Sequence, residues 1–315
     1  MGSARWDADA WSNYSSTVVS GKSRASVYSS RSLDPDLDPR TITLRESRDS
    51  ALNPLSTPII VAFDVTGSMG QIPHAFIGGD GAKGGLGLLV DEILRRSAGD
   101  TPMVTDPHIM MMGVGDAWCD TAPLQVTQFE ADLRIADQMR KIWLEGGGGG
   151  NDCESYNLPW YFAARKTAID SFEKRGRKGY LFTIGDEPPP PVLRKDHVAA
   201  VLGETIPSDL ASADVLTMAA RMYQVFHVVI EQGSYYQQAP DTVRAGWNAL
   251  LGQRVIYLPD YEKLAEVIIS AIQVVEGCRV DDVVRSWSGD TSLVVARAIR
   301  DLTVPDKRAG GLVRF

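Results

Sequence analysis

Asp64, Thr66 and Ser68 occupy alternate positions directly after the apolar run Ile59-Ile60-Val61-Ala62-Phe63. Three oxygen-bearing side chains at i, i+2 and i+4, on a turn leaving a buried strand, can converge on one point, as ligation of a hard divalent cation requires. The same residues also fit the plain Ser/Thr/Gly turn that follows many strands in α/β proteins. Spacing alone does not separate the two readings.

Two further loops carry related chemistry. Gly146 to Gly150 is an unbroken glycine run that either lets backbone approach something closely or only turns the chain. It opens into Asn151-Asp152-Cys153-Glu154-Ser155. Asp186 follows Tyr180-Leu181-Phe182-Thr183-Ile184-Gly185 and precedes Glu187 and the run Pro188 to Pro191. If its strand neighbours that of Asp64, Asp186 can complete an ion site. The prolines force an extended path that would form a rim over it. A third glycine-rich stretch, Gly78 to Gly85, could cradle phosphate. Its lysine precedes the last glycines and no Ser or Thr follows them, unlike a P-loop, so it reads as a loop.

These loops need a scaffold that brings them to one edge. Apolar runs predict strands at 58–63, 108–114, 123–128, 180–185, 224–230 and 254–258, and amphipathic stretches predict helices at 86–97, 130–145, 154–175, 208–222, 261–275 and 281–301. This alternation is the pattern of an α/β fold, a mostly parallel sheet with helices on both faces. Only Gly115 to Ala122 separate the second and third strands, too few for a crossover helix, so that pair should be an antiparallel hairpin. Residues 1–55 show no sustained period and read as an N-terminal arm, with Arg45 to Ser50 as a solvated link. Residues 56–276 form the main domain, and 277–315 a C-terminal helical segment and tail.

Composition removes several function classes. The net charge of −8 disfavours a nucleic-acid binder, which needs a basic face. Lys174-Arg175-Gly176-Arg177-Lys178 is basic but precedes an apolar run, and reads as structural. Cys119, Cys153 and Cys278 are odd in number and form no Cys-x-x-Cys pair, which fits a reducing compartment better than zinc or a disulfide framework. No stretch reaches the roughly 18 apolar residues of a membrane span, and no signal-peptide core is evident. A cytoplasmic protein is expected. His227 sits within an apolar run as a strand histidine, and His74, His108 and His197 lack ligand-like spacing.

The loops together resemble the von Willebrand factor A (vWA) family, whose metal-ion-dependent adhesion site combines D-x-S-x-S after the first strand, a Thr from a second loop and an Asp from a third. Asp64, Thr66 and Ser68 match the first element with Thr in place of the first Ser, and Asp186 matches the third. The resemblance covers about residues 57 to 275. It implies a Rossmann-like vWA fold with a six-stranded sheet and one antiparallel edge strand. It also implies a Mg2+ ion (or Mn2+ or Ca2+). The second loop departs from the family's Gly-Gly-Thr, showing Gly149-Gly150-Asn151-Asp152, so Asn151 or Asp152 is expected to ligate in its place. Glu154 could take the same part, or could complement the dipole of the helix that follows.

Such a site binds rather than catalyses. The resemblance implies an intracellular bacterial binding module whose ion is completed by a partner's acidic side chain, with a MoxR-type AAA+ ATPase as the partner to test first. An exposed Trp118, between Asp116 and Asp120, would suit partner contact. Two alternatives stay open. A metal-dependent hydrolase or nucleotide-binding enzyme could use Asp116, Asp152 or Glu187 as general base. A structural subunit of a larger assembly could exchange its arm and tail.

Overall fold

The computed structural model describes residues 7–27, 29–77, 85, 88, 89, 92, 93, 96, 104–146 and 153–302. Six strands form one sheet: β1 (Thr57–Asp64), β2 (Pro107–Val114), β3 (Leu124–Val126), β4 (Gly179–Gly185), β5 (Tyr223–Ile230) and β6 (Val255–Leu258). Their order is β6-β5-β4-β1-β2-β3. Every adjacent pair is parallel except β2 and β3, whose short connection leaves room only for a hairpin. The chain starts in the middle of the sheet and builds outwards in both directions, so its order reverses between β1 and β4. In Rossmann-like sheets a crevice opens at that reversal, beyond the carboxyl ends of the strands.

Both faces of the sheet are covered, which is why the strands read as continuous apolar runs rather than alternating ones. Ile59, Val61 and Phe63 face one apolar layer, shared with Ile268 and Ile272 of helix Leu264–Val275. Ile60 and Ala62 face the other, shared with Trp160 of helix Asn157–Arg165 and Trp247 of helix Pro240–Leu251. Side chains alternate along a strand, so Asp64 continues the face of Ile60 and Ala62, towards helix Asn157–Arg165. Val283, Val295 and Ile299 of the C-terminal segment join the layer of Ile59. Among the described residues no helix is long and apolar enough to cross a membrane.

Several helices differ from the periodicity. The stretch 154–175 is two helices, Asn157–Arg165 and Asp170–Arg175, separated by a short strand Thr167–Ile169. That strand pairs in parallel with Arg45–Ser47 of the arm, a partner that helical periodicity does not register. The supposed link at 45–50 is therefore partly a strand, with Ser47 buried and Arg48 paired to Asp170 at 2.8 Å. Lys174 and Arg175 have the structural role expected of them, pairing with Asp170 and Asp49 at 2.6 Å each.

The stretch 281–301 breaks into Val280–Arg285 and Gly289–Ile299, with Gly289 at a φ of 58° that favours glycine. The stretch 130–145 is helical only over Arg134–Arg140, because Glu130 bridges to Ile109 as an extension of the sheet. Similarly, the helix expected over 208–222 starts only at Ser212 and ends at Ala220, after Leu210–Ala211 pairs with Val192–Leu193. Helices Lys195–Leu202 and Pro240–Leu251 were not expected. The second lies in the crossover that a parallel β5–β6 pair requires, with Pro240 in its first turn. Of the stretch 86–97, the described residues Leu88, Leu89, Glu92, Ile93 and Arg96 are helical.

Candidate metal centre

The turn after β1 is shaped by Asp64. Its Oδ1 accepts from the Thr66 amide at 2.8 Å and from Thr66 Oγ1 at 2.6 Å, the local closure that Asp favours at turns. A short 3-10 turn over Gly67–Met69 follows, ended by Gly70 at a φ of 48° and anchored by the buried Met69. This holds Thr66 Oγ1 and Ser68 Oγ 3.2 Å apart.

Asp186 arrives from the neighbouring strand. Residues 59–63 of β1 pair in register with 180–184 of β4, so Asp64 and Asp186 leave the same edge of the sheet. Ser68 Oγ donates to Asp186 Oδ1 at 2.8 Å, and the Tyr235 amide donates to Asp186 Oδ2 at 2.9 Å. Asp64, Thr66, Ser68 and Asp186 thus form one hydrogen-bonded chain of oxygen donors. Asp64 and Asp186 are fully buried, Thr66 nearly so, and Ser68 is half-buried.

The second loop reaches the same place through residues that follow the expected ones. Asn151 and Asp152 lie outside the described residues, as do Gly147 to Gly150 and Gly78 to Gly84. Two positions beyond Glu154, the Tyr156 hydroxyl donates to Asp64 Oδ2 at 2.9 Å. No sequence pattern marked Tyr156, which stands 92 residues from Asp64 and meets it only because helix Asn157–Arg165 packs on this face of the sheet. Close approach also depends on two glycines. A Cβ on Gly185 would overlap the Tyr156 hydroxyl, and one on Gly233 would overlap Asp186.

The electrostatics are one-sided. Burial, reinforced by the nearby Asp186 charge, raises the Asp64 carboxyl to about 7. Burial likewise raises Asp186. Glu154, buried and close to Asp64, Glu187, Asp120 and Asp116, is pushed up to about 10. Among the described residues no Lys or Arg pairs with Asp64, Glu154 or Asp186. Carboxylates gathered without a cation protonate or require one.

The donor set fits a hard divalent ion. It consists of carboxylate and hydroxyl oxygens only, and Glu154 Oε2 is buried with no hydrogen-bond partner. Among the described residues no three His, Cys, Asp or Glu side chains are grouped closely enough to hold an ion by themselves, so the hydroxyls of Thr66 and Ser68 are needed. Asp64, Thr66, Ser68 and Asp186 are the described residues that would hold it.

Neighbouring candidates have other roles. Asp116 is buried and turns its own loop, accepting from the Trp118 amide at 3.0 Å, while Asp120 accepts from the Asp116 amide at 2.7 Å. Trp118 is 61% exposed, with the Arg194 guanidinium 4.5 Å from its ring centroid and His197 edge-on at 4.9 Å. The start of the proline run is held in place, with Trp247 Nε1 donating to the Glu187 carbonyl at 2.8 Å and Gly246 leaving room for Pro189, while Pro191 is exposed. His227 is a hydrogen-bonded strand histidine, 2.9 Å from Thr183 Oγ1 and stacked on Trp247. None of the three cysteines forms a disulfide. No protein-family model matches the chain, and no curated protein matches it.

Proposed function

We propose that the chain is a vWA-like binding module, in which a divalent cation held by Asp64, Thr66, Ser68 and Asp186 is completed by an acidic side chain of a protein partner. The observation that carries this reading is the continuous oxygen chain from Asp64 to Asp186 across two adjacent parallel strands, with no described cation paired to either carboxylate. Magnesium prefers octahedral oxygen coordination and keeps several waters, so a site of this depth leaves positions a partner can fill; manganese and calcium suit the same donors. The bound ion would supply charge neutralisation and a coordination bridge. The protein's residues orient one another and exclude water beneath the site.

The exposed Trp118 supports a contact surface next to the site. Its loop is tied there by the Ala117 amide, which donates to Ser155 Oγ at 2.9 Å. An exposed tryptophan is a common anchor at interfaces. By analogy with the resemblance alone, a MoxR-type AAA+ ATPase is the partner to test first.

Calorimetric titration with Mg2+, Mn2+ and Ca2+, followed by capture of the ATPase with and without chelator, tests this. Wild type should bind one ion and capture only in its presence, and Asp64→Ala should lose both. Unchanged ion affinity and unchanged capture in Asp64→Ala would sink the reading.

A further inference from the structure

Ion pairing explains only part of the basic run Lys174-Arg175-Gly176-Arg177-Lys178. Lys174 and Arg175 hold Asp170 and Asp49, whereas Arg177 and Lys178 lead into β4 at the edge of the sheet opposite Asp64. There both line a cavity of about 40 Å³, together with Thr57, Ser171, Arg175 and Glu276 among others. A space of that size takes about three waters, or one tetrahedral oxyanion.

The charge around this cavity is lopsided. Arg175, Arg177 and Lys178 face a single acid, Glu276, and both its oxygens are taken: Oε2 accepts from Arg177 Nη2 at 2.8 Å, and Oε1 accepts from the Tyr180 hydroxyl. Lys178 is left without a counter-charge. Its Nζ donates to the Ala220 carbonyl at 2.5 Å, and among the described residues it pairs with no carboxylate. Burial and the charge of Arg254 lower its ammonium below the ordinary value. A second group points the same way. Ser171 lines the cavity and is 3% exposed, and its Oγ has no hydrogen-bond partner. Lys178 needs negative charge and Ser171 needs an acceptor; an oxyanion supplies both.

We infer that this cavity binds a phosphate-class oxyanion, held by Arg177, Lys178 and the Ser171 hydroxyl. Arg177 reaches Glu276 through Nη2, which leaves other N–H groups of its guanidinium to turn towards the anion. The net charge of −8 repels long polyanions, while a single enclosed phosphate needs only the local excess of positive charge. The site is also separate from the cation centre. β1 runs from Thr57 beside the cavity to Asp64, roughly 23 Å away at the rise of a strand. The inference therefore stands whether or not an ion binds at Asp64.

Calorimetric titration of the full chain in EDTA with inorganic phosphate, and separately with glycerol 3-phosphate, tests this. Wild type and Asp64→Ala should both show one saturable site. Arg177→Gln and Lys178→Gln should each weaken phosphate about tenfold or more, and Ser171→Ala about threefold or more. Lys195→Gln, on an exposed helix position elsewhere, should match wild type. Tighter binding of glycerol 3-phosphate than of phosphate would identify the ligand as a phosphomonoester, and the reverse order as free phosphate. Should Lys178→Gln not fold, Ser171→Ala carries the comparison with Lys195→Gln.

If wild type binds neither anion, or Lys178→Gln binds as tightly as Lys195→Gln, the inference is overturned and the cation reading is untouched.

Discussion

The Tyr156 hydroxyl and Asp64 Oδ2 meet at 2.9 Å although both groups are buried, which links the loop before helix Asn157–Arg165 to the end of β1. A hydrogen bond to a carboxylate inside the protein both orients it and favours its charged form. The hydroxyl also fills the gap that Gly185 leaves.

Tyr156→Phe removes only that hydroxyl. Stability to urea should fall by about 1–3 kcal/mol, since Asp64 Oδ2 loses its buried donor. Mn2+ affinity should weaken about tenfold, as for other residues that orient a ligand. Unchanged affinity in calorimetry would mean that Tyr156 does not orient Asp64.

Gly233→Ala probes the crowding at Asp186, where a Cβ has no room. The backbone at Gly233 has a φ of −66°, open to any residue, so the effect isolates the clash. A loss of about 1–3 kcal/mol is expected. Ion affinity should fall as well if Asp186 is a ligand as proposed. Loss of stability without loss of affinity would remove Asp186 from the site.

His108 sets a pH dependence far from the site. It is buried, with Nδ1 3.1 Å from Ser47 Oγ and Nε2 unpartnered, and burial lowers it from 6.5 to about 4. The folded form therefore keeps it neutral while the unfolded chain protonates it. Its contribution is full above pH 6.5, shrinks as pH falls from 6.5 to about 4, and changes no further below that. The loss amounts to at most about 3 kcal/mol. Urea midpoints across this window should fall more steeply for wild type than for His108→Gln, and parallel curves would contradict it.

Lys166 holds the arm. Its Nζ donates to the carbonyls of Pro39, Ile42 and Leu202 at 3.0, 3.0 and 2.9 Å. Lys166→Met leaves those buried acceptors without a donor and should cost about 2–3 kcal/mol or more. Limited proteolysis should then cut within residues 29–44 at protease levels that leave wild type intact. Equal resistance would show that other contacts hold the arm.

The sheet was legible because strands buried on both faces must be almost wholly apolar, so Ile59 to Phe63, and Val225 to Ile230 with His227 as its one polar member, mark themselves. Asp64, Thr66, Ser68 and Asp186 were legible for a related reason: polar residues that abruptly end such runs stand out. Tyr156 was not, because an aromatic residue ahead of an apolar helix looks like core. The end of helix Asn157–Arg165 is set by Arg45–Ser47, more than a hundred residues earlier, so no local periodicity marks it. In helix Pro240–Leu251, Gly246 and scattered polar residues weaken the apolar stripe that would signal it, although the parallel β5–β6 pair demands a crossover there.

Helix Asn157–Arg165 is fastened at both ends, by Tyr156 to Asp64 at the carboxyl edge of the sheet and by Lys166 to the arm at the opposite edge. It behaves as a tie rod about 13 Å long. The height at which Glu154 and Ser155 sit over the sheet is thus gauged from the far side of the molecule, by carbonyls of the first forty-odd residues. Pulling on the arm would be felt as a change of reach at the carboxylates.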